Sequence, residues 1–461
     1  MNTEISDVGD LSEETRQLQG LAARPALQRI PGYLRLSGPG WLQGAMTLGG
    51  GSAITSLTIG AVYGYELLWV QPLSMLIGCI MLFALSHQTL STGTKPFEAM
   101  RDHVHPSLAW LWAIAALASS IIWGFSHYPL SAGMLEEIIA VGTGFSLQRN
   151  EGMARELYLF ALALLVWCLC AFTAWNYGAG GRPVKLFETS IKYLSGMIII
   201  AFAWVVVSAS ANGQVEWGAV LAGYIPRSLP GDSAGVTTIM AALGTAVGIN
   251  MTFVYGYTLL DRGWAREHRE LSRYDIVMGL VVPYVLVTGL ISIAAAGAFY
   301  GSEMSIQGKL SPAQAGQMFS EAGMGPVTGR LIFAVGILGM AVGSLVMHML
   351  CCGAAAGAMF NWEPHSRNYR LALLLPTPAV LGVFLWSSMG AYVILPTSAI
   401  CGFLLPIAYL GWLALNNNRT YLGDDRPDGA RGLVYNMAMV LCIVTVLASV
   451  CYSTAVALDL L

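Results

Sequence analysis

The fold is decided by an apolar run that is broken near its middle, Gly38-Pro39-Gly40-Trp41-Leu42-Gln43-Gly44-Ala45-Met46-Thr47-Leu48-Gly49-Gly50-Gly51-Ser52. The run continues in apolar residues to about residue 62, which is long enough to cross a membrane. Each glycine inside a helix lowers its stability by about 1 kcal/mol relative to alanine, so three in succession disfavour an unbroken helix. We therefore predict a first membrane span that is interrupted at residues 49–52.

The composition agrees with a membrane location. Of the 461 residues, 56% are apolar and only 11% are charged, whereas soluble domains carry roughly 25% charge. The charged residues form short clusters between apolar stretches of about 20 to 28 residues, each of which can cross a hydrocarbon layer of about 30 Å. The net charge of −3 gives no indication of a nucleic-acid partner. We expect an all-α polytopic membrane protein whose surroundings are the lipid bilayer.

Reading the apolar stretches between polar breaks predicts eleven spans. They lie near residues 38–62, 66–92, 107–141, 156–176, 185–211, 236–260, 274–301, 329–360, 370–388, 389–415 and 432–458. An odd number of spans puts the two termini on opposite sides of the membrane. Eighteen of the 23 Lys and Arg residues fall on the side of the N-terminus and five on the other. Cationic loops are retained in the cytoplasm, so we predict a bacterial inner-membrane protein with a cytoplasmic N-terminus and an outside C-terminus.

A second interruption is predicted about two hundred residues later. Span 6 contains glycine and polar residues at mid-depth, from Gly244 to Thr252. A matched pair of interrupted spans, one opening each half, indicates an inverted-repeat transporter. Glycines also permit close helix packing, but contiguous glycines favour a break. We divide the chain into a tail (1–36), a first repeat (37–211), an outer loop (212–235), a second repeat (236–415), and an inner loop with span 11 (416–461).

The residues around the first two spans resemble those of a known family. The segment 37–41, Ser-Gly-Pro-Gly-Trp, and the segment 63–70, Tyr-Gly-Tyr-Glu-Leu-Leu-Trp-Val, are similar to the Nramp family of proton-coupled divalent-metal transporters. The similarity continues more weakly through Thr92-Gly93, Gly244-Thr245 and 273–275. This resemblance implies the LeuT fold, with two inverted five-helix repeats plus one extra helix, and alternating access driven by an ion gradient.

The resemblance fails where that family binds its metal. The family carries Asp-Pro-Gly-Asn at the first break, and its Asp aligns with Gly49 and its Asn with Ser52. Its span 6 methionine aligns with Gly248, a later histidine with Tyr255, and a span 10 glutamine with Ser398. An anionic carboxylate supplies most of the charge compensation for a dehydrated dication in a low-dielectric site. The metal ligands of this chain therefore stay unassigned.

The candidate substrate-binding residues lie at the two breaks, and two intramembrane histidines are candidates for a proton relay. Each histidine could equally be a hydrogen-bonded packing residue. The substrate-binding candidates are Gly49, Gly50, Gly51, Ser52, Gly248, Asn250 and Thr252, with Tyr255 and Ser398 as second choices; the proton-relay candidates are His127 and His348.

Three functions remain open from the sequence. The first is a secondary-active transporter of a divalent cation, coupled to protons as in the family that it resembles. The second is a transporter of a small organic or zwitterionic solute, whose carboxylate would bind the bare N–H groups of a glycine-rich break. The third is a membrane sensor that does not transport. No catalytic triad, nucleotide-binding loop or cofactor motif appears, so we predict neither an enzyme nor a cofactor.

Overall fold

The computed structural model describes residues 16–18, 20–21, 24–147, 152–177, 182–227, 229–301, 315–364, 366–385 and 393–458. In these ranges the regular structure is helical throughout. The α-helices of the first half of the chain are α1 (Ala26–Leu36), α2 (Pro39–Thr47), α3 (Gly50–Tyr63), α4 (Val70–Thr92), α5 (Pro96–His103), α6 (Pro106–Thr143), α7 (Met153–Asn176), α8 (Arg182–Ala211) and α9 (Trp217–Gly223).

The second half begins with another broken pair of helices. Its α-helices are α10 (Ser233–Ala246), α11 (Ile249–Asp261), α12 (Arg269–Ile276), α13 (Val282–Phe299), α14 (Gln317–Phe319), α15 (Pro326–Phe360), α16 (Arg367–Ala372), α17 (Ile394–Phe403), α18 (Leu405–Asn417), α19 (Arg419–Leu422) and α20 (Gly429–Ala457). Short 3₁₀ segments lie at Arg266–His268, Thr377–Gly382 and Gly423–Asp425, and π-helical segments at Val277–Val281 and Ser320–Met324.

The membrane spans follow the predicted positions closely. Among the described residues, nine helical stretches are long and apolar enough to cross a membrane, and the bent pair of α2 and α3 makes a tenth. The remaining predicted span, 185–211, corresponds to α8, whose apolar part is the shorter stretch Gly196–Ala211. The predicted boundary between spans 9 and 10, at 388–389, lies outside the described residues.

Local sequence explains where several spans begin and end. Proline occupies the first turn of α2, α5, α6 and α15, where its missing N–H has no helical partner to lose. Helices α4 and α6 end at Gly93 and Gly144, which have φ values of 67° and 74°. Such left-handed backbone favours glycine because it has no Cβ.

The break in the first span is confirmed, although it begins one residue earlier than predicted. Helices α2 and α3 meet at an angle of 51°, with Leu48 and Gly49 outside both helices. Residues 50–52 belong to the first turn of α3. The extended backbone of Gly49 (φ −100°, ψ −177°) separates this helix from α2. The second break, between α10 and α11, consists of the extended residues Val247 and Gly248.

Helix α2 packs unusually closely on the start of span 7. A Cβ atom on Gly44 would overlap the carbonyl oxygen of Gly279, in the π-helical segment that follows α12. A Cβ on Gly40 would overlap the backbone of Asp275, whose buried carboxylate accepts hydrogen bonds from the backbone N–H groups of Gly38 and Gly40. The N-terminal half of the first span is therefore held against span 7 by backbone contacts and a capped helix start.

A charged cluster joins two loops on the side of the N-terminus. Asp425 accepts hydrogen bonds from the guanidinium groups of Arg266 (2.8 Å) and Arg269 (2.9 Å). Burial acts to raise the pKa of Asp425, but the hydrogen bond from Arg269 and the charges of both arginines outweigh it and lower that pKa. The cluster ties the connection between spans 6 and 7 to the connection between spans 10 and 11.

Candidate functional site

The two interrupted spans meet at their breaks. The Thr47 hydroxyl, at the end of α2, donates a hydrogen bond to the carbonyl oxygen of Ala246 at the end of α10 (3.2 Å). Each break therefore presents a carbonyl end of one helix (α2 or α10) beside the N–H end of the next (α3 or α11). The carbonyl ends carry partial negative charge and the N–H ends partial positive charge. The junction can accordingly offer oxygen ligands to a cation and N–H donors to an anion.

A small cavity lies between these breaks. Its volume is about 10 Å³, which is about the room that one water molecule needs. The lining residues come from spans 1, 3, 6 and 8. They are Met46, Thr47, Gly49, Gly51, Ser52, Trp123, His127, Gly244, Thr245, Gly248, Asn250, Met251 and His348.

His127 directs one ring nitrogen toward the first break. Its Nδ1 lies 3.0 Å from the carbonyl oxygen of Trp123. Since a carbonyl only accepts hydrogen bonds, Nδ1 carries the proton in the neutral ring and Nε2 keeps a free lone pair. That Nε2 lies 3.2 Å from the point where a Cβ on Gly49 would stand. An imidazole lone pair therefore lies beside Gly49, the position that aligns with an aspartate in the family that the sequence resembles.

The second intramembrane histidine packs against the first. The ring centroids of His127 and His348 are 5.6 Å apart, and Trp123 stacks on His348 at 6.0 Å with an interplanar angle of 9°. His348 Nδ1 lies 2.8 Å from the Asn250 amide nitrogen, which also donates to Ser120. Because the amide donates to Nδ1, the proton of the neutral His348 ring resides on Nε2. The two rings therefore have opposite tautomers.

A thioether enters the cavity from a position that the sequence comparison did not indicate. The Met251 sulfur accepts a hydrogen bond from the backbone N–H of Gly248 (3.3 Å) and lies 3.2 Å from the Thr47 hydroxyl, whose one hydrogen it shares with the Ala246 carbonyl oxygen. The position aligned with the family's methionine is Gly248, three residues earlier. Met251 could have been noticed because it lies in the first turn after the second break.

The structure brings seven of the eleven predicted residues to the cavity. These are Gly49, Gly51, Ser52, Gly248, Asn250, His127 and His348. Their roles in binding or in proton transfer stay predictions.

The other four predicted residues lie outside the lining, for reasons of helix periodicity. A Cβ on Gly50 would face Leu130. The Thr252 hydroxyl donates to the Ile249 carbonyl. The hydroxyls of Tyr255 and Ser398 bond to Ser272 (3.2 Å) and to the Ile394 carbonyl (2.6 Å), respectively.

No carboxylate lines the cavity. In the described parts of the chain, no three His, Cys, Asp or Glu side chains converge in a way that could hold a metal ion. The donors present are one free imidazole nitrogen, a thioether, hydroxyls and backbone carbonyls. This is a neutral set of ligands that mixes soft and hard atoms.

A larger cavity of about 480 Å³ opens on the side of the N-terminus. We call it the inner vestibule. Its deep end is lined by Leu42, Val254 and Met347, which lie within one helical turn of residues that line the central cavity. Its mouth includes Glu98, in the short helix α5, and Asp261, the last residue of α11. The side chains of these neighbouring turns therefore lie between the central cavity and the inner vestibule.

The opposite side of the molecule is closely packed above the first break. The Trp69 backbone N–H donates to the carbonyl oxygen of Gly223 (3.0 Å), in α9 of the loop between spans 5 and 6. A Cβ on Gly223 would overlap the carbonyl oxygen of Tyr65. The inner vestibule thus lies on the N-terminal side, whereas the backbone is closely packed at Gly223 on the opposite side.

Comparison with known sequences identifies the family to which the chain belongs and a relative of known type. Residues 40–454 match the profile of the natural resistance-associated macrophage protein-like family, Nramp. The divalent metal cation transporter MntH of Brucella suis biovar 1 is 24% identical over 405 residues, which cover 85% of this chain and 82% of that protein.

Comparison with solved structures gives similar folds. The manganese transporter of Eremococcus coleocola matches with a TM-score of 0.67 at 16% identity, covering 93% of this chain and 92% of that one. The nucleobase-cation-symport-1 family transporter MHP1, bound to bromovinylhydantoin, matches with a TM-score of 0.57 at 14% identity, covering 91% and 92%. These likenesses establish the predicted LeuT fold with its two inverted repeats.

Proposed function

The chain belongs to the Nramp family, and on this premise we propose that it is a secondary-active transporter that carries a divalent metal cation through the cavity between its two broken spans. The observation that carries the proposal is the free Nε2 lone pair of His127, which faces the first break inside a cavity of single-ion size. A neutral imidazole is a common ligand for transition metals.

The size of the central cavity supports a bare cation as cargo. About 10 Å³ accommodates roughly one water molecule and therefore one ion without its hydration shell. An ion that loses this shell needs replacement donors. The carbonyl ends of α2 and α10, the His127 nitrogen and the Met251 sulfur supply them.

The kinds of donor atom bear on which cation is preferred. Imidazole and thioether groups favour borderline and soft metals, whereas Mg²⁺ and Mn²⁺ depend more on carboxylate oxygens. Since the lining has no carboxylate, we expect Zn²⁺, Co²⁺ or Cd²⁺ to bind more tightly than Mg²⁺ or Mn²⁺.

Alternating access and orientation are part of the proposal. The inner vestibule on one side and the close packing at Gly223 on the other suit a transporter that opens to one side at a time. The excess of Lys and Arg on the N-terminal side supports a cytoplasmic N-terminus in a bacterial inner membrane. The vestibule would then open to the cytoplasm.

Proton coupling follows from the same imidazole. His127 Nε2 can hold either a proton or a metal ion, because both use one lone pair. A cation that binds there would displace the proton, so the one lone pair couples the two ions by exchange, and an outside-acid gradient would slow cation uptake through this site. We include proton coupling in the proposal on this ground, with His348 as the neighbouring ring.

A small zwitterionic solute is the second candidate cargo. The observation in its favour is that the N–H ends of two helices, α3 and α11, face the junction, and such ends attract carboxylates. The absence of a lining carboxylate removes the repulsion that such a ligand would otherwise meet. The small volume of the cavity weighs against it.

The test is uptake by purified protein in liposomes, with Zn²⁺, Mn²⁺, Mg²⁺ and a panel of amino acids offered separately, each with and without a proton gradient. We expect saturable Zn²⁺ uptake that His127→Ala reduces about tenfold or more. His105→Ala is the matched control, because that ring caps the exposed inner end of α6. Uptake of amino acids without any cation would favour the second candidate, and binding or uptake of nothing in the panel would favour a sensor.

A further inference from the structure

A buried amide in the N-terminal half of the first span has no hydrogen-bond partner in the part of the chain that the structure describes. Gln43 lies on α2 and is 0% exposed. Neither its Nε2 nor its Oε1 has a hydrogen-bond partner among the described residues. A glutamine amide offers two donor hydrogens and two acceptor lone pairs, so the full hydrogen-bonding capacity of this side chain is unused.

Such an arrangement lowers stability and therefore requires an explanation. An amide that is removed from water without new hydrogen bonds destabilises the folded state. Gln71, equally buried in the second span, has the usual arrangement: its Nε2 donates to Ser56 Oγ (3.1 Å) and its Oε1 accepts from the Tyr284 hydroxyl. Groups that break the pairing rule in a native protein concentrate at functional positions.

The position of Gln43 is at the layer between the central cavity and the inner vestibule. Residue 43 is one turn before Thr47 and shares its face of α2. Thr47 contacts the Met251 sulfur in the central cavity. The preceding residue, Leu42, and the next turn of α11, at Val254, line the deep end of the vestibule. The amide thus lies level with the barrier that a cargo crosses on its way out.

Apart from Gln43 and Thr47, the side chains that we place at this barrier are apolar. The side chains that border it are Met46 and Met251 from the central cavity and Leu42, Val254 and Met347 from the vestibule. A cation that leaves the cavity loses its first ligands before it reaches the water of the vestibule. An ion without ligands in an apolar layer has a large unfavourable solvation energy.

We propose that the Gln43 amide is a transient ligand that binds the cation as it passes from the central cavity to the inner vestibule. The inference rests on the proposed function, since it assumes a cation as cargo. When α2 and α11 separate, the Oε1 lone pairs become available to the ion, and amide oxygens are suitable ligands for divalent cations. The amide stays unpaired in the closed barrier because its partner arrives only with the cargo.

The experiment compares Gln43→Leu with Gln71→Leu in the full-length protein. The probe is Zn²⁺: its equilibrium affinity in detergent, its uptake rate in liposomes, and the Tm of each variant are measured. Gln43→Leu should raise the Tm or leave it unchanged, because it removes an unpaired buried amide. It should keep the Zn²⁺ dissociation constant within about threefold while the maximal uptake rate falls about tenfold. Gln71→Leu should lower the Tm, because it leaves Ser56 and Tyr284 without their partner.

Each other outcome overturns the inference. An uptake rate equal to that of the wild type, or a rate loss fully explained by weaker Zn²⁺ binding, would show that the amide is not on the route. A lower Tm would show that Gln43 has a structural role, and Gln43→Met, which keeps an unbranched chain, separates that result from a misfit of leucine. If the wild type neither binds nor carries Zn²⁺, the proposed function itself fails, which is a different result from a variant that transports normally.

Discussion

The contact between the first break and span 8 can be tested by adding one methyl group, with Gly49→Ala. The extended backbone at Gly49 suits any residue, so alanine is not excluded by conformation. The obstacle is steric: the new Cβ would overlap Ser344 Oγ and lie 3.2 Å from both His127 Nε2 and the Met46 carbonyl oxygen. Ser344 would have to rotate and lose its hydrogen bond to that carbonyl oxygen (3.0 Å).

The magnitude follows from these contacts. Overpacking a tight interior costs about 1–3 kcal/mol, and the lost Ser344 hydrogen bond adds about 1 kcal/mol. The lower freedom of alanine in the unfolded chain offsets about 0.5 kcal/mol. We expect Gly49→Ala to lower the free energy of unfolding by about 1.5–3.5 kcal/mol in total. Ser344→Ala alone should lower it by about 1 kcal/mol.

The assay is a double-mutant cycle, with unfolding free energies measured by denaturant titration in detergent. In the Ser344→Ala background, the methyl group at position 49 has room, so the double variant should be no less stable than Ser344→Ala alone. The coupling energy is then about 1.5–3.5 kcal/mol. Gly142→Ala is the control, since no atom lies within 4 Å of a Cβ there. Strictly additive effects of Gly49→Ala and Ser344→Ala would refute the contact on which this reasoning depends.

Three further predictions concern the donors of the site and the loops. Met251→Leu should weaken Cd²⁺ binding about tenfold while Mg²⁺ binding is unchanged, as measured by calorimetry; equal losses would contradict the role of the sulfur. Gly49→Asp combined with Ser344→Ala should strengthen Mn²⁺ binding in the same assay, because it adds a carboxylate beside the imidazole, and an unchanged affinity would count against the site. The folded-state pKa of Asp425 is lowered below 3.8, so its contribution to stability is present above pH 3.8 and is lost as the pH falls through the folded value. In thermal unfolding measured as a function of pH, Asp425→Asn should abolish the loss of stability that comes from protonation of Asp425. Arg269→Gln should make that loss smaller.

The positions of the spans could be predicted because they depend on local composition. Apolar stretches and the prolines and glycines at their ends are visible in the sequence, and the helices α4, α6 and α7 begin and end within a few residues of the predicted bounds. The break at Gly49 was also visible, since contiguous glycines act on the local backbone. Local reasoning did not predict that the break begins at Leu48, because the first residue of a break depends on the dihedral angles of single residues.

The composition of the site depends on contacts between distant spans, which no local pattern reveals. His127 and His348 were each ambiguous in the sequence, and only the packing of span 3 on span 8 brings their rings within 5.6 Å. Thr252 was predicted from its nearness to the break, but one residue along a helix turns a side chain by about 100°. Met251, rather than Thr252, lies on the face of α11 that lines the central cavity.

The neutral lining of the central cavity determines which step of transport the membrane voltage would act on. A divalent ion that crosses in this cavity would move with both of its charges, because no acidic side chain travels with it. Membrane voltage acts on moving charge by about 2.3 kcal/mol per elementary charge for each 100 mV. Two charges would therefore gain about 4.6 kcal/mol from a 100 mV potential that is negative inside, enough for a concentration ratio of about 2,000. Because the empty site carries no charge of its own, the whole of this voltage dependence would fall on the step in which the loaded carrier reorients, and uptake would respond to valinomycin-imposed potentials.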